Sequence, residues 1–521
     1  MTKTPADFAA RVNAMFADFD RPDSPGLVVL VQKDGEDVFC GSYGMANLNF
    51  AVPNSRETII RNGSQSKQFT CLLALLLEAE GKLSMADPVR LHFPELPDFH
   101  DGITLEHLAR NDGGMRDHFQ SIVLSGLTLN DRISRAETLE FIRRQEALNF
   151  APGSQTSYCN SGFILLSELI ERLEGKSFDA VLQERICKPL GLTNTRNVWL
   201  DGLAVPGMAQ HYSKEADGWY ALNWGLPIGG EGGIATTVDD MMIWMANFDR
   251  PRVGTPEMMA RMQTPRVFPN GTVSGYGMGL LVQHYRGRTY VGHGGSIEGG
   301  RSHGGRFLED GLAIEILANC DVVDAMRFVR RIADAYFDTP APVPLPFRDG
   351  RYRERGGAQI LQIRHRDGQP EIMNLGSGFE GLDCAPAKGA TREGGIINCH
   401  YRATKDGAIE GEDCGTPFRF EPLEPSVPTP LPIAGQYELP GQRMMASITV
   451  DEGAGRIVLR TDFGEMRAGL EAVAPDLWLM GPSDKRTGYD APFAGTILRT
   501  EAGFTLTTAR NKNMAFQKIG A

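Results

Sequence analysis

Two rhythms of apolar and polar residues divide this chain. In the first part a helix-like stretch covers residues 5–18. The unbroken run Gly26-Leu-Val-Val-Leu-Val31, the Lys33-Asp-Gly-Glu36 turn and a second run then form a hairpin signature. Helices are predicted near 64–80, 161–173 and 177–186, with strands returning near 276–292 and 312–319. Strands flanking a run of helices predict an α+β fold. Phe69, Leu72, Leu73, Leu75, Leu76 and Leu77 cover nearly all sides of the first long helix, so it should be buried.

Short alternating runs take over after residue 338. Ala358-Gln-Ile-Leu-Gln-Ile363, Arg456-Ile-Val-Leu-Arg460 and the pair Ile497–Thr500 and Phe504–Thr507 read as closely spaced strands. Proline-dense segments at Thr339–Pro346 and Glu421–Pro432 are extended spacers. They give three blocks, 1–338, 347–420 and 433–521. Asp349-Gly350-Arg-Tyr352 recurs as Ala434-Gly435-Gln-Tyr437, which suggests that the last two blocks are copies of one small antiparallel barrel.

Composition narrows the partners. Across 521 residues, 53 Lys and Arg against 65 Asp and Glu leave a net charge of −12, which disfavours nucleic acid. The longest apolar run, Cys71 to Leu77, is far below the ~20 residues that cross a bilayer. The N-terminus lacks the apolar stretch of a secretion signal, so no membrane partner and a cytoplasmic location are expected. Eight cysteines without a Cys-x-x-Cys pair agree with that compartment. Cys399-His400 reads as part of a packed strand, and no metal or cofactor is expected.

Three short motifs carry candidate chemistry. Ser64-Gln-Ser-Lys67 opens the apolar helix and puts hydroxyl and ammonium at i and i+3 on one face. Burial favours the neutral amine, which can take the serine proton, and the helix N-terminus favours the resulting negative charge. The alternative is an N-cap serine beside a solvated lysine. In Tyr158-Cys-Asn160, on a loop leading into a helix, a phenol can shuttle a proton and an amide can hold a carbonyl, although Asn160 can equally cap the helix. In Gly292-His293-Gly-Gly-Ser296, residues without Cβ let a ligand lie along a strand edge, or simply make a tight turn.

In this order and spacing the three motifs resemble those of the serine penicillin-recognising, class C β-lactamase-like family, which includes D,D-peptidases and D-aminopeptidases. The resemblance covers most of residues 20–320, including Phe150-Ala-Pro-Gly and Lys188-Pro-Leu-Gly-Leu. It implies a β-lactamase-like antiparallel sheet with helices and a cofactor-free serine hydrolase. Ser64 would be the nucleophile, Lys67 its base and Tyr158 a second proton carrier. Asn160 would bind substrate, and the Ser64 and Ser296 amides would form an oxyanion hole. His293 would stand where lysine is most common, which weakens recognition of a substrate carboxylate; Arg301 would neutralise an acyl intermediate or is a surface arginine. The three-block layout is similar to that of the family's D-aminopeptidases, in which a loop of the last barrel supplies an aspartate to the site. Asp490, after the polar loop from Gly481 to Tyr489, would be that residue. The function expected is therefore a D-stereospecific aminopeptidase acting on small peptides, amides or esters with a free N-terminus, with a homodimer admitted as an assembly. A D-amino-acid amidase or esterase, or a D,D-carboxypeptidase-like enzyme, is the alternative.

Two other motifs are weaker. Gly300-Arg-Ser302-His-Gly304 matches the α/β-hydrolase elbow, but glycines and not a strand precede it. His303-Gly-Gly305 is a competing copy of the His-Gly-Gly motif on the same non-strand reading. Gly230-Glu-Gly-Gly-Ile-Ala235 is a partial dinucleotide fingerprint with no strand leading in, and reads as a loop before a helix cap.

Overall fold

The computed structural model describes residues 5–222, 224–339, 347–366, 369–374, 380–385, 389–392, 399–424, 432–451, 454–483 and 495–519. Strands β1 (Leu27–Lys33) and β2 (Glu36–Tyr43) pair through the turn at Asp34 and Gly35, both at positive φ, as Asp-Gly permits. Later strands β3 (Leu281–Tyr285), β4 (Arg288–Ile297), β5 (Gly300–Phe307) and β6 (Leu312–Ala318) complete an antiparallel sheet in the order β3-β4-β5-β6-β1-β2. Helices cover both faces, which is why β1 is apolar without alternation. Leu27, Val29 and Val31 pack towards helices Phe8–Phe16 (α1) and Ala325–Phe337, while Val28 and Leu30 join the core around helix α2 (Ser66–Ala79).

Strand β5 corrects the reading of Gly300–Phe307 as non-strand. Its sequence, Gly-Arg-Ser-His-Gly-Gly-Arg-Phe, has little strand propensity, and tertiary pairing on both sides overrides it. The glycines are packing necessities: a Cβ on Gly304 would lie 1.6 Å from Glu315 Oε2, and one on Gly305 would lie 2.5 Å from Tyr290 Oη.

Two closed eight-stranded antiparallel barrels follow, β7 (Gly350–Glu354) to β14 (Thr416–Pro422) and β15 (Gly435–Leu439) to β22 (Met514–Ile519). The repeated Gly-x-Tyr has the same job in each. Tyr352 Oη donates to Arg348 O at 2.8 Å, and Tyr437 Oη to Ile433 O at 2.7 Å, where the first strand meets the last. No helix among the described residues is long and apolar enough to cross a membrane.

Candidate active site

Ser64 lies on a single 3-10 turn, Gly63–Gln65, that runs directly into α2. Its neighbours are bare of Cβ where they must be. Gly63 has φ +54° and sits against the Ser296 amide, and a Cβ on Gly295 would lie 1.9 Å from Asn62 O. The serine turn therefore presses against the end of β4, bringing Ser64 and Ser296 together. The solvated-lysine alternative does not hold: Lys67 is fully buried, and its Nζ is 3.0 Å from Ser64 Oγ and 2.9 Å from Asn160 Oδ1. Nζ also donates to the carbonyl of Glu231, in the loop read as a partial dinucleotide fingerprint. That loop precedes Thr237, whose hydroxyl caps the next helix, Val238–Asp249.

Asn160 begins helix α4 (Asn160–Glu174), yet its side chain does not cap it. Oδ1 accepts from Lys67, while Nδ2 and the backbone N both donate to Asp117 Oδ2, at 2.9 and 2.8 Å. The amide thus gives its carbonyl to the lysine and one of its two Nδ2 hydrogens to Asp117. Tyr158 is buried, with its ring centroid 4.9 Å from Lys67 Nζ.

Electrostatics follow from burial. Loss of water lowers the Lys67 pKa to about 7; Glu231 and Asp117 oppose that shift, and Arg510 adds to it. Burial alone would raise Asp117, but Arg510, His118 and the donors of Asn160 hold its carboxyl below its ordinary value. His293 is fully buried and, through burial and then Lys67, lowered to about 3. Its Nδ1 faces the Gly294 carbonyl, which only accepts, so Nδ1 carries the proton and Nε2 accepts from Tyr276 Oη at 3.0 Å. The histidine is a neutral member of the site wall, with no charge to offer a carboxylate.

Arg301, Ser302 and His303 all lie on β5, paired with Ser296, Gly295 and Gly294 of β4. Arg301 Nη1 donates to Ile297 O at 3.1 Å and Gly300 O at 2.8 Å, so it ties the β4–β5 turn. Its side chain is engaged by its own hairpin. Ser302 Oγ donates to Asn62 O at 2.7 Å from inside β5, which is no nucleophile elbow. His303 is opposite Gly294, so it points to the other sheet face from His293 and stacks on Tyr290. Asp490 lies outside the described residues.

Sequence reasoning missed Asp117, Tyr276 and Arg510. Arg510 comes from the second barrel, between β21 (Gly503–Thr507) and β22; its Cζ is 4.9 Å from the Tyr158 ring centroid. Nothing local in Thr508–Asn513 beyond a polar hairpin tip marks it.

Comparison with known proteins places the same elements in a family. The beta-lactamase family model matches residues 12–337. A D-aminopeptidase of Gluconobacter oxydans is 27% identical over 96% of this chain and 97% of its own, and one of Brucella melitensis is 30% identical over 69% of each. Among solved structures, the D-amino acid amidase of Ochrobactrum anthropi in complex with L-phenylalanine aligns with a TM-score of 0.54 at 22% identity, covering 63% of this chain and 98% of that one. The octameric penicillin-binding protein homologue of Pyrococcus abyssi aligns with a TM-score of 0.59 at 21% identity, over 79% and 99%.

Proposed function

Since this chain belongs to the beta-lactamase family, we propose that it is a serine hydrolase of D-aminopeptidase and amidase type, releasing an N-terminal D-residue through an acyl-Ser64 intermediate. The observation that carries the mechanism is the set of partners around Lys67. A neutral amine has two N–H groups and one lone pair, and two of its three neighbours, Asn160 Oδ1 and Glu231 O, can only accept. Both hydrogens go to them. The lone pair is left facing Ser64 Oγ, which then donates its own hydrogen at 3.0 Å.

In acylation Ser64 Oγ bonds to the scissile carbonyl carbon while its proton passes to Lys67 Nζ. The carbonyl oxygen, now an anion, is met by the Ser64 and Ser296 amides; such a donor is worth about 2.7–4 kcal/mol. As the C–N bond breaks, the proton moves by way of Tyr158 to the departing amine. Water repeats the sequence on the acyl-enzyme, with Lys67 again the base. The neutral His293 supports an aminopeptidase over a carboxypeptidase, because it gives a substrate carboxylate no counter-charge. Asp490 is carried in this proposal as the partner of the substrate α-ammonium. A cytoplasmic setting belongs to the same reading and is supported by Cys40, Cys71, Cys159, Cys187, Cys320 and Cys414, which are free thiols.

The test is hydrolysis of D-alanine and L-alanine p-nitroanilides, each free and N-acetylated. The free D-substrate should be cleaved at least tenfold faster than the other three, and Ser64→Ala should abolish turnover. Equal rates with free and acetylated substrates would replace this reading with an esterase or a general amidase.

A further inference from the structure

The second barrel reaches the catalytic centre through the hairpin tip between β21 and β22. Helix α3 (His118–Leu124) begins beside Asp117, and the hairpin tip between β21 and β22 is bonded to that beginning. Asp117 N donates to Asn511 Oδ1 at 2.8 Å, and Asn511 Nδ2 donates back to Asp117 O at 3.3 Å and to Ser121 Oγ at 3.1 Å. Arg510 N donates to Gln120 Oε1 at 2.8 Å, and its guanidinium is 3.5 Å from Asp117 Oδ2. At the far end of α3, Leu124 packs in the apolar core of the same barrel. The contact is thus anchored along the whole helix.

Asp117 is wholly buried, and a lone buried carboxylate is costly unless charge and hydrogen bonds compensate it. Here the compensation is split between domains: Asn160 supplies two N–H donors and the barrel supplies Arg510. The same Asn160 amide orients the lysine amine. We propose that the β21–β22 tip is a working part of the catalytic centre: Arg510 and Asn511 fix Asp117, and Asp117, through Asn160, aims Lys67 at Ser64. Arg510 and Asp117 are positioning residues, and this inference rests on the reading of Lys67 as the base.

The two positioning residues also act on the lysine with opposite signs. Asp117 stabilises its ammonium form and Arg510 opposes it. Other ionisable groups face Lys67 from each surrounding element. Glu231 lies in the preceding loop and His118 at the start of α3; Tyr158 and Cys159 lead into α4, His293 is on β4, and Cys71 is on α2 itself. None of them changes in the variants below.

The experiment measures kcat/KM against pH for Arg510→Gln, Arg510→Lys and Asp117→Asn in the full chain, together with labelling of Ser64 by a fluorophosphonate. Arg510→Gln should move the acid limb to higher pH by roughly 0.5–1 unit. It should also lower kcat roughly 10-fold to 100-fold, with KM changed less than about threefold, as expected for misaligned chemistry. Arg510→Lys keeps the charge and should keep the limb. Asp117→Asn should move the limb the other way, and if that variant does not fold, the two Arg510 variants decide. An unmoved limb and near-wild-type kcat in Arg510→Gln, with wild-type Ser64 labelled normally, would overturn this inference alone. Failure of wild-type Ser64 to label would overturn the reading on which it rests.

Discussion

Tyr276 Oη donates to His293 Nε2 across 3.0 Å, and that bond defines the third motif of the site. Its other nitrogen is committed to the Gly294 carbonyl, and burial and then Lys67 keep the imidazole neutral, so it serves as a rigid acceptor in a buried wall.

Removing the phenol hydroxyl should therefore cost stability. Tyr276→Phe leaves a buried acceptor without its donor, at about 1–3 kcal/mol, read as a lower urea midpoint at constant m-value. Because His293 is lowered to about 3 when folded, against 6.5 unperturbed, the unfolded chain binds the extra proton. Its contribution is complete above pH 6.5 and falls as pH drops towards 3. His293→Gln should flatten that part of the stability profile.

Lys67 predicts the acid limb of activity. With its pKa lowered to about 7, the proposed base is protonated and idle below neutrality, so kcat/KM should rise through about pH 7 and then level off. Lys67→Arg, which cannot lose its proton, should lower kcat by roughly 100-fold to 10,000-fold at every pH, measured with the free D-alanine anilide.

Gly295 predicts a large effect from one methyl group. In Gly295→Ala the new Cβ would lie 1.9 Å from Asn62 O and 2.5 Å from Ser302 Oγ, so β4 and the serine turn must part. A displacement near 1 Å costs roughly 100-fold in rate. Ser302→Ala, which only loses a bond to Asn62 O, should retain labelling at Ser64.

Glu315 predicts alkaline sensitivity. It is fully buried, accepts from Gln65 Nε2 at 2.7 Å, and burial raises its pKa to about 8. The folded chain holds a proton that the unfolded chain loses above pH 4.5, so the stability it supports below that value diminishes as pH rises through 8. Glu315→Gln keeps the acceptor and removes the titration. Its unfolding free energy in urea should match wild type near pH 5 and exceed it at pH 9, the difference growing by on the order of 1 kcal/mol per pH unit up to about pH 8.

Much of this protein follows from local signals. The Asp34-Gly35 turn carries its own backbone freedom, the all-apolar α2 has nowhere to lie but in a core, and Ser64 and Lys67 share a face by helical spacing. Alternation in the last two blocks, with a tyrosine at the same place in each, is enough to pair strands into barrels. Such features are encoded within a few residues, and the chain displays them before it folds. Strand β5 is different, because its glycines show no periodicity and are held only by the neighbours that exclude a Cβ. The neutrality of His293 depends on burial and then on Lys67, neither of which the motif contains. Arg510 and Asn511 meet Asp117 from almost 400 residues away, and no local pattern pairs a hairpin tip with a helix start over that separation. The tertiary structure alone decides such contacts, because desolvation and the pairing of buried charges are properties of the surroundings, not of the residue.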